Sequence, residues 1–154
     1  MKIRIIAPGK IKEKWLKDGI SEYAKRLSGY ADVEIIEVPD SPDSIPEAEG
    51  IRREGEAILS KISDKDLVWV MDLHGREVTS EELSSYLISD MEKGGAKITI
   101  VIGGSCGISE DVRKRASRKI AFGKITLTHQ MTRLVLMEQL YRGFKIARGE
   151  KYHK

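Results

Sequence analysis

The stretch KITIVIGG, residues 97–104, decides the fold class. After Lys97 it is β-branched and almost wholly apolar, and it ends in two glycines. A strand this hydrophobic is expected to be buried on both faces, as strands are in parallel sheets. Residues 67–72, LVWVMD, have the same character. Two such strands predict a parallel sheet with helices covering both of its faces.

The rest of the chain alternates strand and helix patterns. Further strands are predicted at 2–7 and 33–38, and 119–127 is strand-like with a break at Gly123. Helical spacing predicts helices over 12–29, 50–62, 79–95, 109–117 and about 130–147. Thr79 with Glu82 has the pattern of a capping box, and Ser109 that of a helix cap. Without repeats or a linker, the 154 residues are expected to form a single α/β domain, 1–154.

The net charge of +3 hides an asymmetry along the chain. Residues 107–154 hold 12 Lys and Arg against 4 Asp and Glu, whereas residues 1–106 hold 15 against 20. A basic C-terminal third suggests an anionic partner, with RNA the first candidate. A solvated charged surface explains the same pattern.

Several classes of protein are disfavoured by the sequence. No apolar run approaches the roughly 20 residues of a membrane span, and the four apolar residues before Pro8 are too few for a secretory signal. A single cysteine, Cys106, excludes an internal disulfide and a multi-cysteine zinc site. The three histidines have no i, i+4 pairing. We therefore expect a cytoplasmic protein with no membrane segment and no metal.

Three segments with glycine follow predicted strands, at 71–76, 102–107 and 122–130. Ligands of parallel sheets bind beyond the carboxyl ends of the strands, so these segments are expected to wall one pocket. IGGSCG, 102–107, has neither the G-x-G-x-x-G nor the G-x-S-x-G spacing, and no Walker lysine follows it. By itself it is more typical of a tight strand-to-helix turn than of a phosphate-binding loop. Cys106 is either a nucleophile at a helix start or a small residue filling space.

The last helix combines an apolar arc with arginines. Arg133 falls inside the arc formed by Leu134, Leu136, Met137, Leu140, Tyr141 and Phe144. A guanidinium is rarely buried without a partner, so Arg133 should meet a carboxylate at the helix start, a subunit interface or an anion. Arg142 lies one turn after Glu138, which predicts an ion pair.

Two stretches together carry a family resemblance: VIGGSCGIS, and ITLTHQMTRLVLMEQLYRGFKIARGEKYHK at the C-terminus. They resemble the ribosomal RNA large subunit methyltransferase H family of SPOUT-class enzymes, and the resemblance covers the whole chain. It implies an α/β domain with a C-terminal trefoil knot, acting as a homodimer. It also implies transfer of a methyl group from S-adenosylmethionine to N3 of a pseudouridine, in a 23S rRNA hairpin loop of the assembled ribosome.

The resemblance also implies roles for individual residues. The S-adenosylmethionine site would comprise Met71, Leu73, Gly103, Gly104, Gly123, Lys124, Ile125, Thr126, Leu127 and Thr128. The catalytic residues would be Arg133, Arg142, Tyr152 and His153. In this hypothesis His153 or an ordered water takes the imide proton, Tyr152 positions the base, and Arg142 or Arg133 stabilises the developing anion.

The chain departs from the family pattern at three positions. Thr128 and Lys151 stand where the family usually has proline, and Cys106 stands where it favours an acidic or amide residue.

Two other functions stay open from the residues alone. One is an RNA-binding module that keeps the fold without methylation, and the other is a nucleotide-binding domain acting on a small molecule. Binding of S-adenosylmethionine separates the first of these from a methyltransferase.

Overall fold

A computed structural model describes residues 1–154 as five strands and five helices in strict alternation. The strands are β1 (Lys2–Pro8), β2 (Asp32–Val38), β3 (Val68–Glu77), β4 (Lys97–Ile102) and β5 (Arg118–Ala121). The helices are α1 (Lys14–Leu27), α2 (Glu47–Leu59), α3 (Ser80–Lys93), α4 (Glu110–Arg115) and α5 (His129–Ala147). All strand pairs are parallel, in the order β2-β1-β4-β3-β5, which confirms the predicted fold class.

The sheet is the middle of three layers. Alternate side chains of the strands enter two separate apolar clusters, because successive residues of a strand point to opposite faces. On one face Ile3, Ile5 and Trp69 pack with apolar residues of α1, α3 and α5. On the other face Ile6 and Val70 pack with residues of α2 and α4. Central strands covered on both faces explain why 67–72 and 97–104 are so apolar.

Side-chain caps define where three helices begin. Thr79 and Glu82 form the predicted capping box at α3, and the Ser109 hydroxyl accepts a hydrogen bond from the Val112 amide at α4. At α5 the Thr128 hydroxyl accepts from the Met131 amide at 3.1 Å. These bonds satisfy amides that have no partner within the first turn of a helix.

The structure corrects the predicted boundaries of three elements. The strand predicted to end at residue 72 continues to Glu77 as β3. The strand-like interpretation of 119–127 is wrong beyond Ala121, where β5 ends and residues 122–128 form a loop. Gly123 in this loop has φ 139°, which a side chain would oppose. Helix α2 starts at Glu47 rather than residue 50, directly after Pro46, and its first turn carries Glu47 and Glu49. Carboxylates there interact favourably with the helix dipole.

Candidate functional site

A cleft of about 680 Å³ opens at the carboxyl ends of β3, β4 and β5. This volume lies within the range of small-molecule sites. Residues 71–74 of β3, 102–107 at the end of β4 and most of 122–130 after β5 converge at one edge of the parallel sheet, where the three predicted segments were expected to meet. None of the five helices combines the length and apolar character needed to span a bilayer.

Nine of the ten residues expected to bind a cofactor line this cleft: Met71, Leu73, Gly103, Gly104, Gly123, Ile125, Thr126, Leu127 and Thr128. Lys124 belongs to the same loop but is exposed and does not line the cleft. Ile125 is 82% exposed, and Leu73 and Leu127 are also exposed, so the rim of the cleft is apolar and uncovered. Such a rim favours an occupant or a neighbouring chain with apolar surface.

The turn between β4 and α4 has no room for a Cβ atom at Gly103 or Gly104. A Cβ atom on Gly104 would lie 2.2 Å from Oε1 of Glu54, and one on Gly103 would lie 2.5 Å from Ile108. Glu54 is 8% exposed, and its other oxygen accepts a hydrogen bond from the Ser41 amide at 2.8 Å. The carboxylate therefore cannot swing away without losing that bond. Glycine is required at 104 so that this wall of the cleft stays close to α2.

Cys106 lies at the tip of this turn and is exposed. The space-filling interpretation of Cys106 is therefore wrong. Its thiol has one polar neighbour, the Ser105 hydroxyl at 3.9 Å. No basic side chain forms a hydrogen bond with this thiol, as one would with an activated nucleophile.

The cleft also contains an ion pair that sequence reasoning missed. Asp72 follows Met71 on β3 and is 7% exposed, and its Oδ2 accepts a hydrogen bond from Nε of Arg113 at 2.9 Å. Oδ1 accepts from the His74 amide at 3.0 Å. Hydrogen bonds to Glu110 and Asp72 raise the pKa of Arg113. The only sequence signal is an aspartate directly after the apolar run 67–71, which is an unusual position for a charge.

A second cluster of polar side chains surrounds the C-terminus. We call it the tail network: Tyr23, Glu81, Glu138, Arg142, Tyr152 and His153. Its centre is the predicted Glu138–Arg142 pair, in which Nε of Arg142 donates to Oε1 of Glu138 at 3.1 Å. The Tyr152 hydroxyl donates to the same oxygen at 3.1 Å. The network thus ties the last residues of the chain to α1, α3 and α5.

Aromatic contacts reinforce the tail network. The Tyr152 ring lies edge-on to Tyr141 at 4.9 Å, and the Arg142 guanidinium lies 4.8 Å from the Tyr152 ring centre. The hydroxyls of Tyr23 and Tyr152 are 3.3 Å apart. Burial, with the bonds to Tyr23 and Glu138, raises the pKa of Tyr152, so its hydroxyl stays protonated at neutral pH.

His153 is held from both sides of its ring. Nε2 lies 2.7 Å from Oε1 of Glu81, and Nδ1 lies 3.1 Å from Nη1 of Arg142. The pKa of the Glu81 carboxyl is lowered by its own backbone amide and by His153. Glu81, like Tyr23, was not singled out from the sequence, and no local pattern connects either residue to the tail.

The structure does not bring the cleft and the tail network together in one chain. Gln130 lines the cleft at the start of α5, whereas Arg142 lies near the other end of the helix. At about 1.5 Å per residue, the twelve steps between them span about 18 Å. Three of the four residues expected to be catalytic, Arg142, Tyr152 and His153, therefore lie apart from the expected cofactor site of their own chain.

Arg133 lies apart from both clusters and is buried, at 2% exposure. Its Nη1 donates to Glu37 of β2 at 3.0 Å and its Nη2 donates to the Gly9 carbonyl at 3.2 Å. Arg133 thus has a carboxylate partner, but on a strand rather than at the helix start. The bond to Glu37 fastens α5 to β2, and the bond to Gly9 fastens it to the β1–α1 turn.

No group of three or more His, Cys, Asp and Glu side chains is placed to hold a metal ion. What the cleft offers instead is apolar wall, backbone amides and carbonyls, and one carboxylate–guanidinium pair. Such a combination suits an organic molecule with both apolar and charged parts.

Comparisons with known proteins place the chain in a family. A family model described as "Predicted SPOUT methyltransferase" matches residues 1–153. The ribosomal RNA large subunit methyltransferase H proteins of Enterococcus faecalis, Carboxydothermus hydrogenoformans and Lactobacillus delbrueckii are 47%, 48% and 52% identical to it. Each of these matches covers the whole of both chains.

A solved structure shares the fold. It is a probable methyltransferase from Bordetella pertussis, with a TM-score of 0.57 and 14% identity, over 92% of this chain and 95% of the other. The identity is too low to carry more than the fold, whereas the full-length relatives carry the family. The chain therefore belongs to the SPOUT methyltransferases and, within them, to the ribosomal RNA large subunit methyltransferase H family.

Proposed function

We propose that this protein transfers the methyl group of S-adenosylmethionine to N3 of a pseudouridine in a 23S rRNA hairpin loop of the assembled ribosome. The observation that carries the proposal is the cleft at the ends of β3, β4 and β5, in a chain that belongs to a methyltransferase family. The names of its relatives specify the large-subunit RNA as their substrate. The particular nucleotide follows from the family resemblance of the motifs.

The residues of the cleft fit S-adenosylmethionine. Ile102, Ile120 and Phe122 supply apolar wall for the adenine, and the exposed backbone of 123–128 supplies donors and acceptors. The cofactor is positively charged at sulfur and zwitterionic at its amino acid end. Asp72 and Arg113 provide one charge of each sign in the same cleft.

When bound, the cofactor supplies an activated methyl group, so the chain has little covalent chemistry to perform. The protein must align the attacking nitrogen and favour loss of the imide proton. We assign these tasks to Tyr152, His153 and Arg142, with Arg142 near the anionic pyrimidine. Arg133 is less suited to contact substrate, because it is buried and engaged by Glu37.

An RNA partner is supported by unpaired cations around the tail network. Lys25 lies in the last turn of α1, Arg148 follows α5, and Lys151 and Lys154 flank the Tyr-His pair. None of the four has a carboxylate partner, in contrast to Arg26 and Lys145 nearby. Exposed, uncompensated cations are the groups that neutralise phosphates and release counterions.

A homodimer would unite the two separated clusters. Within one chain, Gln130 of the cleft and Arg142 of the tail network lie about 18 Å apart along α5, so a second copy can supply the tail that a cleft lacks. The apolar rim at Ile125 and Leu127 is available for such a contact.

The resemblance further implies a trefoil knot in the C-terminal part of the chain. A protein that acts on ribosomes is also expected in the cytoplasm.

The decisive test is methylation of ribosomes that lack this modification. The protein is incubated with them and S-adenosylmethionine, and the 23S rRNA nucleosides are analysed by mass spectrometry. We expect 3-methylpseudouridine, and none when the cofactor is omitted. RNA binding without methylation or cofactor binding would instead identify an RNA-binding module. Methylation of a free nucleotide but not of ribosomes would identify a small-molecule enzyme.

The dimer has its own test. Gly104→Ala damages the cleft and leaves the tail intact, whereas Tyr152→Phe removes a tail hydroxyl and leaves the cleft intact. If each site takes its tail from the partner, mixing the two weakened variants should restore part of the activity, because mixed dimers contain one intact pair. Activity that stays at the sum of the two separate variants would contradict a shared site.

A further inference from the structure

Both ring nitrogens of His153 are already engaged by protein groups. Nδ1 lies 3.1 Å from Nη1 of Arg142, and Nε2 lies 2.7 Å from a carboxylate oxygen of Glu81. A guanidinium has donors only, so Nδ1 must accept the hydrogen bond from Arg142. The ring proton is then on Nε2, where it donates to Glu81. The contacts thus select one neutral tautomer of the imidazole.

This arrangement leaves His153 no free nitrogen to take a proton from a substrate. A proton added at Nδ1 would bring two N–H groups face to face and break the contact with Arg142. A general base must reach the proton it removes with an open lone pair. In the docked tail, His153 lacks that lone pair on either side of its ring.

Arg142, by contrast, is held on three sides and still has N–H groups without a partner. Its Nε and Nη2 donate to Glu138, its Nη1 donates to His153, and its plane lies over the Tyr152 ring. Five N–H groups make up a guanidinium, so two of them have no partner in the chain. A guanidinium fixed in this way suits an oxygen that gains negative charge in the transition state.

We propose that Glu81 and His153 are positioning residues: Glu81 fixes the tautomer of His153, and Nδ1 of His153 orients Arg142 toward the pyrimidine. The imide proton then passes to water rather than to His153. N3 forms its bond to the methyl carbon as the bond from that carbon to the sulfur of S-adenosylmethionine breaks, and S-adenosylhomocysteine leaves. The chemical part of this proposal rests on the proposed function. The tautomer and its dependence on Glu81 do not.

The tautomer can be measured without any activity assay. In protein with nitrogen-15 labelled histidine, the His153 signals are identified by their loss in His153→Asn. We expect Nε2 to carry the proton and Nδ1 to be an acceptor at neutral pH. Glu81→Ala should remove this preference, and Glu81→Gln should keep it because the amide oxygen still accepts. A proton on Nδ1 in the unmodified protein would overturn the proposal.

Activity separates a positioning residue from a base. Asparagine at 153 keeps an acceptor near Nδ1 but cannot take a proton. We expect His153→Asn to retain kcat within about tenfold and His153→Ala to lose about a hundredfold, with the affinity for S-adenosylmethionine unchanged in both. Equal losses for Asn and Ala would show that His153 is the base and overturn the proposal.

Glu81→Ala should lower kcat in parallel with the loss of the tautomer preference, and Glu81→Gln should restore it. Glu92→Ala is the matched control, since Glu92 is an exposed carboxylate on the same helix with no hydrogen-bond partner. An effect of Glu92→Ala as large as that of Glu81→Ala would contradict a specific role. If the unmodified protein methylates no RNA, the proposed function fails, and the tautomer measurement still judges the Glu81–His153–Arg142 arrangement.

Discussion

The cleft and the tail network occupy the same chain but are built from different parts. In the cleft, the turn at 103–107 and the loop at 122–128 contribute backbone, and several of their side chains are exposed. In the tail network, six side chains contact one another through hydrogen bonds and ring packing. A site built of backbone is sensitive to added atoms, whereas a site built of side chains is sensitive to removed ones.

The two regions therefore differ in which substitutions they tolerate. Glycine at 104 is fixed by the short distance from any added Cβ to Glu54, and glycine at 103 by the short distance to Ile108. Members of the tail network are fixed by their partners, so each can be tested by deletion and by a conservative replacement. The variants below probe the comparison from the largest expected effect to the smallest.

Gly104→Ala should have the largest effect. The new Cβ would lie 2.2 Å from Oε1 of a carboxylate that the Ser41 amide already holds. We expect overpacking to lower the free energy of unfolding by about 2 kcal/mol. The distorted turn should also weaken S-adenosylmethionine binding by about tenfold or more. Chemical denaturation and calorimetric titration measure the two effects.

Gly29→Ala is the control for that substitution, because a Cβ at Gly29 meets nothing within 4 Å. It should change stability by less than about 0.5 kcal/mol. Normal cofactor affinity in Gly104→Ala would show that the turn adapts and that the cleft is not fixed by its backbone.

Glu138→Ala should come next and should act on the other region. It leaves the hydroxyl of Tyr152 and the guanidinium of Arg142 without their shared acceptor. Because the site is partly open to water, we expect a loss of about 1.5 kcal/mol in the free energy of unfolding. Cofactor affinity should be unchanged. A loss of cofactor affinity equal to that of Gly104→Ala would show that the two regions are not independent.

Tyr152 gives the same region a pH dependence. Its pKa is raised in the folded protein, so the stabilising contribution is complete below the ordinary tyrosine value of about 10. It is lost as the pH rises from there through the raised pKa. The stability of the unmodified protein should therefore fall more steeply above pH of about 10 than that of Tyr152→Phe, in denaturation curves recorded at several pH values. Parallel curves would contradict the contacts of the Tyr152 hydroxyl.

Thr128 lies where the cleft meets α5, and its substitution should have a smaller effect. Thr128→Ala removes the cap at the Met131 amide and should cost about 1 kcal/mol. Thr128→Pro also removes the cap, but φ at this position is −60°, which proline adopts without strain. We expect proline to recover about half of the loss, because it restricts the unfolded chain by about 0.5 kcal/mol. Equal stability of the two variants would argue against this backbone account.

Cys106→Ala should have the smallest effect, although Cys106 lies in the wall of the cleft. Its side chain is exposed and makes one weak contact, with Ser105. Stability should change by less than about 0.5 kcal/mol and cofactor affinity should not change. A clear loss of affinity would show that a side chain, and not only backbone, forms this wall.

Local pattern was enough to predict the elements and the cleft. Buried strands, helix caps and glycines following strands are properties of short windows, and the parallel sheet then brings the three loops to one edge. The end of β5 was missed because residues 124–127 continue a strand-like pattern after Gly123. Only the absence of a neighbouring strand beyond Ala121 ends the pairing.

The tail network could be predicted only within α5. The Glu138–Arg142 pair follows from helical spacing, but Glu81 reaches His153 across 72 positions and Tyr23 reaches Tyr152 across 129. Arg133 likewise finds Glu37 at a separation of 96 residues. A charged sequence contains many carboxylates that could pair with His153 or Arg133. Which carboxylate does so depends on how the elements pack, and the sequence does not show this.

The packing of α1 against α5 has a consequence for synthesis of the chain. Leu16 and Ile20 of α1 share a core with Leu136 and Leu140 of α5, although the two helices are about a hundred residues apart. At a translation rate of about 5–20 residues per second, the apolar face of α1 waits roughly 5–20 s for its partner. Strands β1 and β2 can pair during that interval, but the face of the incomplete sheet that α5 later covers remains exposed to water. The growing chain is therefore a natural client for chaperones that shield apolar helices at the exit of the ribosome.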